Sequence, residues 1–173
     1  ERRFGRAVYT TKNDVTLEDA VVRLLKKNDL TAATVESCTA GLLAGRLVNV
    51  PGVSDVFKTG LITYSNKAKR RLAGVKKETL EKYGAVSPQT AQEMAVGGAK
   101  AAGADVAVSI TGIAGPDGGS EEKPVGLVYM ACFVCGNVWV EEFRFKGSRA
   151  KIRESSVAAA LTLMRRCILE VFD

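Results

Sequence analysis

Three short segments carry residues that could do chemistry together. Glu36-Ser37-Cys38-Thr39-Ala40-Gly41 leads from an apolar stretch into Leu42-Leu43, so Ser37 stands where a strand turns into a helix. Backbone N–H groups at a helix start lack internal partners and attract anions. Thr39, Ala40 and Gly41 are small enough to let a ligand approach. In that position Ser37 is either a nucleophile or an N-cap. Thr63-Tyr64-Ser65-Asn66-Lys67-Ala68-Lys69 is a second strand end entering a helix. Ligands gather at the carboxyl ends of strands in open α/β sheets, so this turn and Ser37 are expected to be neighbours. A desolvated lysine loses its proton more readily and can serve a serine as general base; a lysine on a solvated basic helix does neither. The third segment is Thr111-Gly112-Ile113-Ala114-Gly115-Pro116-Asp117-Gly118-Gly119-Ser120. Its glycines permit backbone contact with a ligand, but it matches neither a Walker A loop nor the dinucleotide-binding spacing. It is either a pocket wall or a surface turn.

The chain contains no histidine. Ser-His-Asp and Cys-His catalysis and all histidine metal sites are thereby excluded. A hydrolase built on this sequence must draw its base from Lys, a carboxylate, Tyr or a metal held by oxygen ligands.

The elements that position these segments can be read from periodicity. Thr16 caps a helix carrying Leu17, Val21, Leu24 and Leu25, with Lys26 and Lys27 at the end that favours cations. Ala32 to Glu36 is a short strand. A second helix carries Leu42, Leu43 and Leu47 and closes at Pro51-Gly52. Phe57 to Tyr64 reads as a strand, Asn66 to about Gly74 as a basic helix, and Glu78 to Tyr83 as another short helix. Ser87-Pro88 starts a helix that runs to about Ala102. Asp105 to Thr111 alternates as a strand does. Val125 to Val134 and Val138 to Phe145 form a hairpin around Gly136-Asn137. The last helix runs from about Arg149 to Phe172, with Val157, Ala160, Leu161, Met164, Ile168 and Val171 as its apolar stripe. The expected fold class is α/β, a mixed β-sheet covered by helices on both faces.

Composition sets the remaining bounds. A chain of 173 residues, 46% hydrophobic and 25% charged, can bury a core and stay soluble. No stretch reaches the ~18 apolar residues of a membrane helix, and the N-terminus has no secretory pattern. The first residue is Glu rather than Met, which suggests a piece of something longer. Cys38, Cys132, Cys135 and Cys167 read as reduced core packing in a cytoplasmic protein. The Cys132-Phe-Val-Cys135 spacing lacks the second pair that a zinc site needs. The net charge of +6 concentrates at Lys67, Lys69, Arg70, Arg71, Lys76 and Lys77. Without interleaved aromatics this cluster reads as a solvated helix face or an anionic small-molecule site rather than a nucleic-acid surface.

Four motifs in order, Glu36-Ser-Cys-Thr-Ala-Gly41, Thr63-Tyr-Ser-Asn-Lys-Ala-Lys69, Gly84-Ala-Val-Ser-Pro88 and Ser109-Ile-Thr-Gly-Ile-Ala-Gly-Pro-Asp-Gly-Gly119, resemble the C-terminal domain of the CinA (competence-damage-inducible) family. The likeness runs from about Leu17 to the end. Residues 1–16, with Phe4-Gly5-Arg6-Ala7-Val8-Tyr9, resemble the end of the domain that precedes it in two-domain members. The resemblance implies a nicotinamide-nucleotide amidase, hydrolysing nicotinamide mononucleotide to nicotinate mononucleotide and ammonia without metal or cofactor. It assigns Ser37 as nucleophile, Lys69 as base and Tyr64 as its assistant, with oxyanion donors at the helix start. Arg149 and Arg153 fall in a segment resembling the family's Gly-x-Arg stretch and would lie near the substrate phosphate. Thr111, Gly112, Ile113, Ala114 and Gly115 would line the same pocket. Self-association into a homo-oligomer is also implied. Ala40 departs from the family's Ser-Cys-Thr-Gly-Gly pattern, and its methyl would narrow the pocket or slow turnover. The competing readings are a non-catalytic nucleotide-binding regulatory module and, less consistent with the motifs, a DNA-binding protein.

Overall fold

The computed structural model describes residues 9–10 and 13–173. Of the segment likened to a preceding domain, residues 4–8 lie outside the described residues, as does most of the expected tail.

Among the described residues, five strands form one sheet in the order β2-β1-β3-β4-β5. The strands are β1 (Ala32–Glu36), β2 (Phe57–Ile62), β3 (Val106–Gly112), β4 (Leu127–Val134) and β5 (Asn137–Arg144). β1 pairs in parallel with both β2 and β3, whereas β3, β4 and β5 are antiparallel. The sheet is therefore mixed, with β1 central among three parallel strands. The helices are α1 (Leu17–Lys27), α2 (Leu42–Val48), α3 (Asn66–Ala73), α4 (Lys77–Tyr83), α5 (Pro88–Ala102) and α6 (Arg149–Phe172).

Side-chain alternation assigns each helix to a face. Ala32, Val106, Val108, Ile110, Val128, Met130 and Cys132 face α1, α2 and α6 in the main core. Ala33, Val35, Ala107 and Ala131 face the opposite way, toward α5 and the α3–α4 pair packed on it. The second face is built from small residues. Alanines on the strands meet Ala91, Ala95 and Ala99 of α5, so the helix backbone can sit close to the sheet. The Ser109 hydroxyl donates across that gap to the Ala91 carbonyl at 2.6 Å.

Local chemistry sets the boundaries. Thr16 and Asp19 form a reciprocal capping box on α1, and Ser87 caps α5 with Pro88 in the first turn. The β4–β5 turn differs from the expected Gly136-Asn137. Its two central residues are Cys135 and Gly136, both with positive φ (47° and 96°), and Asn137 already belongs to β5. Positive φ at both positions matches the right-handed twist of the strands. Cys135 is consequently exposed at the tip, while Cys38, Cys132 and Cys167 are buried. The expected core packing fails for that one cysteine. No helix among the described residues is long and apolar enough to cross a membrane.

Candidate active site

Strand order 2-1-3 makes the carboxyl end of β1 a switch point. The chain leaves β1 through α2 on one face and returns from β2 to β3 through α3, α4 and α5 on the other. Such a crevice is where open α/β sheets bind ligands. Ser37 follows β1 there, and its N–H donates to the Ile110 carbonyl of β3 at 2.9 Å. Thr63 follows β2, with its N–H on the Glu36 carbonyl at 2.8 Å. The two strand ends are thus neighbours.

Ser65 caps α3, accepting from the Ala68 N–H at 3.1 Å. Lys69 and Ala73, four residues apart, form the buried face of that helix. Lys69 is 1% exposed. It belongs to the interior, unlike Lys67, Arg70, Arg71, Lys76 and Lys77, which lie on the solvated face. Its Nζ lies 2.8 Å from Ser37 Oγ and donates to the Thr63 carbonyl at 2.8 Å. No carboxylate bonds to it among the described residues. Burial without an opposing charge pushes its pKa from 10.5 down to about 8. A neutral Lys69 amine would donate to Thr63 and accept from the Ser37 hydroxyl. That is the geometry of a base hydrogen-bonded to a nucleophile.

The turn after β1 is held from two sides. Glu36, 1% exposed, turns its carboxylate onto the start of α2. Its Oε2 accepts from the Gly41 and Leu43 N–H groups at 3.0 Å each, and its Oε1 from Ala44 at 2.9 Å. The helix-start donors expected to meet an anion are therefore already occupied by the protein's own carboxylate. Gly41, not Ser37, occupies the N-cap position of α2. On the other side, Arg153 of α6 donates through Nε to the Cys38 carbonyl at 3.0 Å and through Nη2 to the Thr39 carbonyl at 2.9 Å. It is a strut for the turn rather than a free cation.

A cavity of about 210 Å³ opens beside Ser37. Of the residues expected at the site, Ser37, Tyr64, Lys69, Thr111, Gly112, Ala114 and Arg149 line it. Arg149 Nη1 donates to the Gly115 carbonyl at 2.7 Å, and Nη2 to the Tyr64 hydroxyl at 3.2 Å. Thr39, Ala40, Gly41, Ile113, Gly115 and Arg153 do not line the cavity. Thr39 is fully buried, and Ala40 is exposed in a left-handed conformation (φ 49°). The Ala40 methyl therefore strains the backbone without narrowing the cavity.

Cys38, Asn66, Ala85 and Val86 complete the wall and were not singled out as site residues. Ala85 and Val86 lie within the Gly84–Pro88 motif, and Asn66 within the Tyr64–Lys69 motif, so the motifs themselves held the signal. Burial pushes the Cys38 thiol up to about 11, so it stays protonated at neutral pH. Among the described residues no group of three His, Cys, Asp or Glu side chains could hold a metal ion.

The profile of the CinA C-terminal domain family matches residues 14–168. The chain belongs to that family. A putative competence-damage inducible protein of Clostridium novyi is 56% identical over 164 residues, which cover 95% of this chain and 39% of the relative. A CinA-like protein of Kosmotoga olearia is 53% identical over 167 residues, covering 96% of this chain and 40% of the relative. The chain thus spans about two fifths of these relatives' length. The crystal structure of the competence/damage inducible protein CihA from Agrobacterium tumefaciens superposes with a TM-score of 0.85 at 44% identity, covering 88% of this chain and 93% of that one. A CinA superfamily protein from Klebsiella pneumoniae gives 0.86 at 34% identity, covering 89% and 96%. The mixed five-stranded α/β fold of this CinA domain is that of its family.

Proposed function

We propose that this CinA domain is an amidohydrolase that converts nicotinamide mononucleotide to nicotinate mononucleotide and ammonia. The observation that carries the reading is the buried Lys69 amine, 2.8 Å from the Ser37 hydroxyl, with its pKa lowered to about 8. A buried lysine without a counter-charge is costly to the fold, and a base poised near the working pH is what activation of a serine needs.

In this mechanism neutral Lys69 takes the Ser37 proton as Oγ attacks the carboxamide carbon. The carbonyl electron pair moves onto oxygen, and backbone N–H groups receive it. The tetrahedral centre collapses, the C–N bond breaks, and the proton held on Lys69 passes to the leaving nitrogen. Water, deprotonated in turn by Lys69, then releases nicotinate mononucleotide from the serine ester. Tyr64, at the cavity wall and bonded to Arg149, assists proton movement at the open side. Among the described residues, two of the five Arg149 N–H donors are engaged, which leaves the others to meet the substrate phosphate at the mouth.

The test is ammonia release from nicotinamide mononucleotide at pH 8 by the parent chain, Ser37→Ala and Lys69→Ala. Release by the parent that both variants lose supports the reading. Release that survives in Ser37→Ala would move the nucleophile to Cys38. A folded parent that binds the nucleotide but releases nothing would favour a regulatory binding module.

A further inference from the structure

We propose that Arg153 is a positioning residue that holds the Cys38-Thr39 turn so that its unpaired N–H groups, with Cys38 at the cavity wall, serve as the oxyanion hole of this site. The proposal rests on the reading of Ser37 as nucleophile.

The run from Cys38 to Ala44 has seven backbone N–H groups. Glu36 takes those of Gly41, Leu43 and Ala44. The Ser37 carbonyl takes that of Ala40 at 3.1 Å, and the Thr39 carbonyl takes that of Leu42 at 3.2 Å. Among the described residues, the N–H groups of Cys38 and Thr39 have no acceptor. Both residues are buried, at 6% and 0% exposure. A buried N–H left unpaired costs free energy, and such donors persist where a ligand completes them. These two belong to the first and second residues after Ser37. Serine hydrolases commonly draw oxyanion donors from the backbone beside the nucleophile.

Arg153 fixes where they point. A trans peptide is planar, with its N–H opposite its C=O. The Cys38 carbonyl is bonded to Arg153 Nε, so the Thr39 N–H of the same peptide points away from α6. The Thr39 carbonyl, bonded to Arg153 Nη2, fixes the next peptide, whose Ala40 N–H donates to the Ser37 carbonyl at 3.1 Å; that bond in turn orients the Ser37–Cys38 peptide and with it the Cys38 N–H. A planar guanidinium that holds two successive carbonyls leaves the turn little freedom to rotate. Arg149, one helical turn earlier, reaches the opposite wall through Gly115 and Tyr64. α6 thus sets both the turn beside the nucleophile and the cavity mouth. Arg149 lines the cavity and Arg153 does not, so the substrate phosphate is left to Arg149 while Arg153 holds the turn.

The proposal can be tested without the natural substrate by labelling with a small fluorophosphonate. Ser37 Oγ bonds to phosphorus, fluoride leaves, the serine proton passes to Lys69, and the phosphoryl oxygen takes the oxyanion position. The parent is expected to label at Ser37. Arg153→Met is expected to label about 100-fold more slowly, the usual loss when oxyanion donors fail. Its rate should keep the parent's pH midpoint near 8, because Lys69 is untouched. Arg153→Lys preserves charge and stem but cannot hold both carbonyls, and should recover only part of the rate. With nicotinamide mononucleotide, kcat should fall at unchanged KM, and equally for the dephosphorylated riboside. Labelling of folded Arg153→Met at the parent rate would overturn the proposal. So would a shifted midpoint, or a loss confined to the phosphorylated substrate. A parent unlabelled at Ser37 would instead sink the nucleophile reading, and the oxyanion hole with it.

Discussion

Replacing Lys69 with Met exposes the cost of the buried base. The Lys69 pKa falls from 10.5 to about 8 in the folded protein because burial disfavours its charge. At about 1.4 kcal/mol per pKa unit, that difference is worth about 3 kcal/mol. The sign follows from proton counts. Between pH 8 and 10.5 the unfolded chain holds the proton more tightly than the folded chain, so the parent gains stability as pH rises through that window. Below pH 8 the folded chain carries the full penalty of a buried ammonium. Lys69→Met has no such proton; it leaves the buried Thr63 carbonyl short of a donor, while the Ser37 hydroxyl at the cavity wall can turn to water, a loss of about 1–2 kcal/mol in all. At pH 7 the variant should therefore be more stable than the parent by about 1–2 kcal/mol. By pH 10.5 that order should reverse, the parent having gained about 3 kcal/mol relative to the variant. Urea unfolding of both proteins across this range, compared as a difference, removes the titrations they share. A difference that stays flat, or that turns further toward the variant as pH rises, would refute the claim that Lys69 is desolvated and unpaired.

Glu36→Gln presents amide hydrogens to N–H groups that need an acceptor, and should lower stability by about 2 kcal/mol while reducing ammonia release; thermal unfolding and turnover measured together would show it. A Cβ at Gly97 would lie 1.8 Å from the Ala73 carbonyl oxygen, a backbone atom that cannot swing aside. Gly97→Ala should therefore cost about 2 kcal/mol or more and displace α3 with Lys69, read as a fall in both melting temperature and activity. Ala40→Gly should relieve the left-handed strain at φ 49° and raise stability by about 1 kcal/mol, measurable by denaturant midpoint, with turnover preserved. Cys38→Ala should leave ammonia release essentially intact, because a thiol held near 11 is not an available nucleophile; a large loss would move the chemistry to sulfur.

The elements were legible because periodicity and caps agree along most of the chain. Ser87-Pro88 starts α5, the Arg149–Phe172 stripe is α6, and Ala32–Glu36 is β1 as read. Where boundaries moved, a long-range contact decided them. Phe57–Ile62 stops short of Tyr64 because Thr63 turns to give its carbonyl to Lys69. The Cys135-Gly136 turn was hidden because a cysteine with positive φ is not an expected turn residue. At the site, the sequence placed Ser37 and the Tyr64–Lys69 segment at adjacent strand ends, and the fold brings them together. It did not reveal that Glu36 folds back onto α2, or that Arg153 holds main-chain carbonyls. Both contacts use charged side chains to satisfy backbone groups: Glu36 reaches N–H groups five to eight residues on, outside the usual capping spacing, and the Arg153 partners lie more than a hundred residues away, where no spacing rule applies. Lys69 was more accessible than it looked. It lies four residues before Ala73, on the face of α3 that must be buried.

The central claim is that Lys69 removes the Ser37 proton. The pH dependence of kcat/KM for nicotinamide mononucleotide, measured for the parent beside Lys69→Arg, tests it most directly. The parent should rise with pH to a plateau with a midpoint near 8. Lys69→Arg keeps a cation near the serine but cannot accept a proton, and should lose nearly all activity at every pH. An active Lys69→Arg enzyme with the same profile would contradict the account.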